Sequence, residues 1–366
     1  MSREEILKAL ASVAYPGFTR DIVSFGLVKG VEVDGAGKVV VEISVTTSKP
    51  DIPEKIETAA RAALEKIGCG DAEIKISVTT PRAPSSAGTL PPAEKIVGVK
   101  KIIAVASGKG GVGKSTVSVN LAAALARVLE ERGVAPAEGS VGIFDCDVYG
   151  PSIPAMLGIS EAPELVGEKM RPRESHGIKV MSMGLFLDDD TPVVWRGPML
   201  QKAIKQFVED VDWGALEVLV VDLPPGTGDA QITLAQTLAL DGVVVVTTPQ
   251  NIAASVARRG ARMFPRMNVP ILGVVENMSY FDDNASGERN YIFGKGGGAN
   301  TALVLGTEFF GELPLSQKMR ECGDAGTPIT IAEPESIPAQ VFHSIAELVL
   351  LELDKNEERL RASRKS

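Results

Sequence analysis

The string Ser107-Gly108-Lys109-Gly110-Gly111-Val112-Gly113-Lys114-Ser115-Thr116 joins a short apolar run, Ile102–Ala106, to a stretch of helical periodicity. Residues 108–115 fit the pattern G-x-x-x-x-G-K-[ST], whose meaning depends on that strand–loop–helix setting. Glycines at 108, 110, 111 and 113 let the backbone curl, so that successive N–H groups, Val112 among them, face one point. The N-terminus of the following helix adds its own donors, and the result is a cradle for phosphate. In that cradle Lys114 neutralises β- and γ-phosphate charge, while Ser115, with Thr116 beside it, offers a hydroxyl to Mg²⁺.

The same string also fits G-x-G-x-x-G through Gly108, Gly110 and Gly113, the fingerprint of a dinucleotide site. That fingerprint wants an acidic residue about 20 residues further on, for a ribose hydroxyl. Here the first strand-end acid, Asp145, lies 32 residues after Gly113, and Lys114-Ser115-Thr116 is left without a task. A nucleoside triphosphate is the expected ligand. Two more groups of carboxylates support it, Phe144-Asp145-Cys146-Asp147 and Val221-Asp222-Leu223-Pro224-Pro225-Gly226-Thr227-Gly228-Asp229, each closing an apolar run. Ligands of open α/β sheets gather outside the carboxyl ends of the strands. There one Asp can hold a magnesium-bound water and a second can orient the attacking water. Taken singly, each Asp is also a plain turn former.

These side chains need a rigid sheet to hold them. From residue 101 the runs Ile102–Ala106, Val141–Phe144, Val218–Val221, Val243–Thr247 and Ile271–Val275 alternate with longer helical stretches. Runs so continuously apolar suit strands covered on both faces, and the expectation is a doubly wound parallel α/β sheet. Residues 1–80 read differently, as a small α+β domain. Ser2 and Glu5 make a capping box before a helix, and Val31–Val33 pairs with Val39–Val45 across Asp34-Gly35-Ala36-Gly37. A second helix is expected over 53–67 and a third strand over 73–80. Residues 81–97, rich in proline and small side chains, read as a linker. The α/β domain is then expected over 98–353 and a polar tail over 354–366.

Composition narrows the class. With 44% hydrophobic and 23% charged residues the chain resembles neither a disordered nor a fibrous protein. Its net charge of -9 argues against a broad nucleic-acid-binding face. The three cysteines form no disulfide framework, Met1-Ser2-Arg3-Glu4-Glu5 lacks a secretory signal, and no apolar run reaches about 18 residues. A cytoplasmic protein without membrane or nucleic-acid partners is expected.

Further motifs point to a family. The second lysine of the loop, Lys109, makes it similar to the deviant Walker A of the MinD/ParA/nitrogenase-iron-protein class of P-loop ATPases. The strings FDCDVYGPSIP (144–154), VVDLPPGTGD (220–229), TTPQ (247–250), ENMSYF (276–281) and IFGKGGG (292–298) together resemble the Mrp/ApbC/Nbp35 family, described as ATP-dependent iron–sulfur cluster carriers. Residues 21–33 and the TTP at 79–81 resemble the MIP18 (DUF59) domain often joined to such ATPases. The resemblance implies a nucleotide-sandwich homodimer in which Lys109 reaches the phosphates held by the opposite subunit. It also implies catalytic roles for Lys109, Lys114 and Asp147, the last positioning the hydrolytic water. Asp145 and Asp222 would lie near Mg²⁺ with Ser115, and Asn277 would contact adenine. The implied cofactors are ATP and Mg²⁺, with a [4Fe–4S] cluster as cargo for apo-protein clients.

The chain departs from that pattern where the cargo is concerned. Many members carry Cys-x-x-Cys after the ENMSYF segment; here Phe281 to Tyr291 contains no cysteine, and Asn284-Ala285-Ser286-Gly287 reads as a turn. Ala83 stands where the accessory domain usually has its cysteine. One chain offers only Cys69, Cys146 and Cys322, fewer than the four thiolates of a [4Fe–4S] site. Cys146 and Cys69 read as packed side chains, and Cys322, in a polar loop-like run, as the exposed candidate for a cluster thiol. Trp195-Arg196-Gly197-Pro198 reads equally as an interface segment or a helix start. His176 and His343 lack metal-ligand spacing, and the basic residues 359–365 read as a solvated helix end. The alternative function is a MinD/ParA-like nucleotide-dependent switch that binds protein partners without a cluster.

Overall fold

The computed structural model describes residues 3–13, 16, 21–23, 27–33, 39–46, 51–79, 93–148, 150–186, 197–226, 228–282 and 288–363. The Ser2 cap, the Asp34–Gly37 turn, linker residues 81–92 with Ala83, Trp195-Arg196, Thr227 and the Asn284–Gly287 turn lie outside the described residues. The chain divides into two compact units, Met1–Thr89 and Leu90–Ser366.

In the first unit α1 (Arg3–Leu10), β1 (Val28–Val33), β2 (Val39–Thr46), α2 (Asp51–Glu65) and β3 (Glu73–Thr79) follow in order. β2 pairs antiparallel with β1 and parallel with β3, and α2 makes the crossover that a parallel pair requires. Val39, Val41, Ile43 and Val45 alternate inward along β2, while Ile52, Ile56, Ala60 and Leu64 recur at helical spacing along α2. These two apolar faces meet over Ile6 and Leu10 of α1. The helix expected over 53–67 starts at Asp51, with Pro53 in its first turn, and ends at Glu65 because the chain turns through Gly68 at φ 80°.

The second unit begins with β4 (Val99–Ser107), α3 (Lys114–Glu131), β5 (Val141–Asp145) and the short α4 (Ile153–Met156). Three small strands, β6 (Glu164–Val166), β7 (Lys169–Arg171) and β8 (Arg173–Ser175), precede β9 (Ile178–Ser182). Then come α5 (Gly197–Asp210), β10 (Leu216–Asp222), α6 (Asp229–Thr237), β11 (Gly242–Thr247), α7 (Asn251–Ala261), α8 (Met263–Arg266) and β12 (Ile271–Glu276). The chain closes with the β13 (Phe281–Asp282) and β14 (Arg289–Asn290) ribbon, α9 (Gly297–Leu305), β15 (Glu308–Glu312), α10 (Gln317–Asp324), α11 (Ile329–Ala332) and α12 (Ile337–Ser363).

Eight of these strands form one sheet in the order β15-β12-β11-β4-β10-β5-β9-β8, parallel except for β8 at one edge. β4 lies in the middle, which explains its unbroken apolar run: Ile103 and Val105 face one core with α3 and α12, and Ile102, Ala104 and Ala106 face the other with Phe207, Trp213 and Phe264. Register sets the chemistry. Across β4, β10, β5 and β9 the residues Val105, Asp222, Asp145 and Ser182 form one row, so two acids distant in sequence become neighbours at the carboxyl edge.

Within the stretch expected as a polar tail, 354–366, α12 continues unbroken to Ser363, so the basic residues described there lie on a helix end. Residues 354–363 contain no Gly or Pro to stop it, and Glu357 pairs with Arg361 one turn on and with Lys101 of β4 at 2.8 Å. Phe342 of α12 is fully buried against α3. Phe342→Ala should therefore cost about 3–5 kcal/mol. Urea unfolding followed by the fluorescence of Trp195 and Trp213, both in the second unit, reads this directly.

Candidate functional site

The loop between β4 and α3 takes its shape from close approaches. Gly113, the residue before α3, has φ 78° and ψ 27°, and a Cβ there would lie 2.2 Å from Asn277 Nδ2. At Gly108 a Cβ would lie 2.4 Å from the backbone nitrogen of Ala257 on α7. Both positions therefore exclude any side chain. Between them Lys109, Gly110 and Gly111 are exposed at the tip, and Val112 is buried beneath. Ser107 Oγ donates to the Lys109 carbonyl at 3.0 Å, closing the base of the loop.

Beneath the loop Asp222, the last residue of β10 and fully buried, collects three donors. Lys114 Nζ lies 2.5 Å and Ser115 Oγ 2.6 Å from its Oδ2, and Ser118 Oγ lies 2.5 Å from its Oδ1. The first turn of α3 places all three, since residues one and four after Lys114 project to the same end of the helix. Asp147 Oδ2 is 4.0 Å from Lys114 Nζ. Asp145 spends one oxygen on the Asp147 N–H and the other on Ser182 Oγ, both at 3.0 Å, so its carboxyl shapes the turn that presents Asp147. Burial, and then the charge of Asp222, push the Asp145 carboxyl up to about 7.

The next loop, Leu223–Gly226, is tied to the phosphate loop. Gly226 N donates to the Ser107 carbonyl at 3.1 Å, and Gln231 Nε2 donates to Pro224 O at 2.6 Å and Ser107 O at 3.3 Å. Ser118, Ser182 and Gln231 carry no sequence signal of their own, apart from the helical offset that puts Ser118 one turn after Lys114. Thr116 and Gly113 line one side of a cavity of about 710 Å³ whose other walls include Asn277, Met278, Pro314, Leu315, Ser316 and Gln317. Asn277 donates from Nδ2 to the Val112 carbonyl at 2.9 Å, while its buried Oδ1 has no hydrogen-bond partner among the described residues.

One hydroxyl and a set of carboxylates make an all-oxygen donor environment, the kind Mg²⁺ accepts when phosphates and water complete its shell. Among the described residues no group of three or more His, Cys, Asp or Glu is placed to hold a metal by itself. The structure corrects the reading of Cys322 as an exposed thiol. It lies on α10, not in a loop, and is only 6% exposed, packed in the apolar core, where burial pushes the thiol up. Cys146 is fully buried beneath the site, and burial foremost holds its thiol well above the usual range. His176 Nε2 contacts the Gly326 carbonyl at 2.9 Å, and His343 Nε2 lies 2.7 Å from Glu131, whose carboxyl that contact lowers.

A phosphate loop on the central strand of a parallel sheet, with acids on the neighbouring strand ends, defines a P-loop nucleotide-binding protein. Residues 98–350 match the NUBPL iron-transfer P-loop NTPase family and residues 3–76 an iron–sulfur cluster assembly protein family. The chain belongs to the NUBPL iron-transfer P-loop NTPase family. It is 42% identical, over 95% of its length and 97% of the relative's, to the iron–sulfur cluster carrier protein of Synechocystis. It is 48% identical to the mitochondrial iron–sulfur protein required for NADH dehydrogenase of Arabidopsis thaliana, over 73% of this chain and 83% of that one. Among solved structures, a nucleotide-binding protein from Archaeoglobus fulgidus in complex with ADP aligns with a TM-score of 0.56 at 36% identity, covering 67% of this chain and 92% of that one. No helix among the described residues is long and apolar enough to cross a membrane.

Asp222→Ala strands the buried Lys114 ammonium without its main partner, and should destabilise the protein by about 3–5 kcal/mol. Ser118→Ala removes one hydroxyl, shared between the Asp222 carboxylate and the Lys114 carbonyl, and should cost about 1.5–3 kcal/mol. Tryptophan-monitored urea unfolding without nucleotide ranks the two; equal losses would contradict the partner count at Asp222.

Proposed function

We propose that this chain is an ATP-binding and ATP-hydrolysing iron–sulfur cluster carrier that works as a homodimer. The convergence of Lys114, Ser115 and Ser118 on Asp222, under a glycine-rich loop of the phosphate-binding pattern, is the observation that carries the nucleotide half. On binding, Lys114 exchanges Asp222 for β- and γ-phosphate oxygens. Ser115 and Asp222 are the groups to hold Mg²⁺, with Asp145 behind them fixing Asp147; the ion, when bound, neutralises phosphate charge. Asp147 orients the attacking water, Asn277 accepts from the adenine amine, and exposed Lys109 reaches the partner's nucleotide. Hydrolysis relaxes the loops at Asp147 and Leu223–Gly226, which changes the dimer's hold on cargo and client.

The carrier half rests on the relatives, which are named as cluster carriers, and on the assembly-protein match of the first unit. A second reading, a nucleotide-dependent switch that carries no cluster, is favoured by the burial of both thiols of the second unit.

Lys114→Ala should weaken ATP binding by about ten- to a hundredfold, the worth of a charge-assisted contact. Calorimetry with magnesium and ATP measures it, and Lys109→Ala should bind ATP but lose hydrolysis. Anaerobic reconstitution with iron and sulfide separates the two readings. Cluster absorbance that is equal in wild type and Cys322→Ser supports carriage without that thiol; none in either protein leaves the switch.

A further inference from the structure

The ENMSYF segment contributes Asn277 to the cavity, but the residue before it poses a separate physical problem. Glu276 ends β12 and is fully buried, on a strand whose other residues, Ile271–Val275, are apolar or glycine. Among the ion pairs of the described residues none involves it, so its carboxyl is compensated by hydrogen bonds alone. Oε1 accepts from Ser279 Oγ at 2.8 Å, and Oε2 accepts from the backbone N–H of Gly298 in the first turn of α9. The fit is close, because a Cβ on Gly298 would lie 2.6 Å from Glu276 Cβ. A buried polar group so costly is retained where it fixes a geometry.

That geometry is the turn holding Asn277. Met278 has φ 55°, a left-handed conformation that residues other than glycine and asparagine rarely adopt, and such a turn persists only where its surroundings over-determine it. The Glu276–Ser279 bond closes the turn across Met278, and Glu276 anchors it to α9. Ser279 N donates to Leu313 O at 2.9 Å on the far side, and Asn277 N donates to Thr247 O at 2.8 Å. Between these anchors the Asn277 amide is left one orientation, with Nδ2 on Val112 and the buried Oδ1 as an acceptor without a partner among the described residues.

We infer that Glu276 is a positioning residue for base recognition, holding Asn277 so that its carbonyl oxygen meets an N–H donor of the nucleobase. The inference rests on the ATP reading above. It sets the base contact apart from Lys114 and Asp222, neither of which bonds Glu276; the phosphate loop is reached only through the bond from Asn277 Nδ2 to the Val112 carbonyl. Losing Glu276 therefore costs most affinity for ligands that present the adenine amine.

The test is calorimetry with magnesium and three ligands. ATP carries the amine, inosine triphosphate carries a carbonyl oxygen in its place, and tripolyphosphate has no base. For Glu276→Ala, ATP affinity should fall about tenfold, one well-placed hydrogen bond, while the other two ligands shift by less than about twofold. Glu276→Gln keeps an oxygen for Gly298 N and an amide for Ser279 Oγ, and should stay within about twofold of wild type for all three. Unchanged ATP affinity in folded Glu276→Ala, or an equal loss for all three ligands, would overturn the inference. Should that variant not fold, Ser279→Ala decides: a selective loss for ATP of about twofold or more supports the inference, and no loss overturns it. Wild-type protein that binds neither ATP nor tripolyphosphate overturns the nucleotide reading itself, and this inference with it.

Discussion

Asp222 ends a strand in the middle of the sheet, out of reach of water, and must be satisfied by groups brought to it. Leaving such a carboxylate unpaired costs several kcal/mol, so the structure around it is constrained to supply Lys114, Ser115 and Ser118 together. This sets the rotation of α3 about its axis and hence the direction in which the phosphate loop opens. The glycines then follow as a consequence. With α7 packed against the loop at Gly108 and Asn277 against it at Gly113, there is no volume for a Cβ at either position. A lysine held by a carboxylate it can exchange for phosphate is a charge already desolvated and aimed, which is the condition for strong electrostatic binding.

The same row of the sheet links recognition to response. Asp145 lies beside Asp222 by strand register and holds the N–H of Asp147, while Gln231 and Gly226 tie the following loop to Ser107. Both loops that change on nucleotide hydrolysis in the proposed cycle therefore rest on the strand ends that carry the phosphate site. The side proposed to meet the base is built by a different route. Glu276 ends β12 and Asn277 follows it, on the other side of β4 from β10, with α9 as their support. The phosphate loop and the proposed base contact thus start from separate strands of one sheet and are joined by the bond from Asn277 to the Val112 carbonyl.

The thiols set the limit of the metal chemistry. Cys146 and Cys322 are placed as small apolar side chains, and their burial favours the protonated form, which is a poor ligand for iron. As packed, neither thiol is placed to offer a thiolate to the cluster that the proposed carrier function calls for. Cys69, in the first unit, is the remaining cysteine of the chain and is partly exposed.

Much of this was written locally in the chain. The phosphate loop, the apolar runs that become buried parallel strands, and the acids that end them are contiguous patterns whose period or spacing fixes their conformation. The small first unit was legible for the same reason, through the alternation of Val39–Val45 and the helical spacing of Ile52–Leu64. What the chain could not display was any relation set by register or packing. Asp145 and Asp222 meet because β5 and β10 align at one level, and Ser182 joins them from β9. Glu276 finds Gly298 only because α9 folds back onto the sheet edge. Cys322 looked solvent-facing because its sequence neighbours Arg320, Glu321 and Asp324 are charged, yet on a helix those side chains share the outer face and leave the cysteine to the core. Local sequence determined which elements form and where phosphate binds; the sheet's register and the packing of helices upon it decided which side chains share that site, since contacts between distant segments exist only once the chain has closed around them.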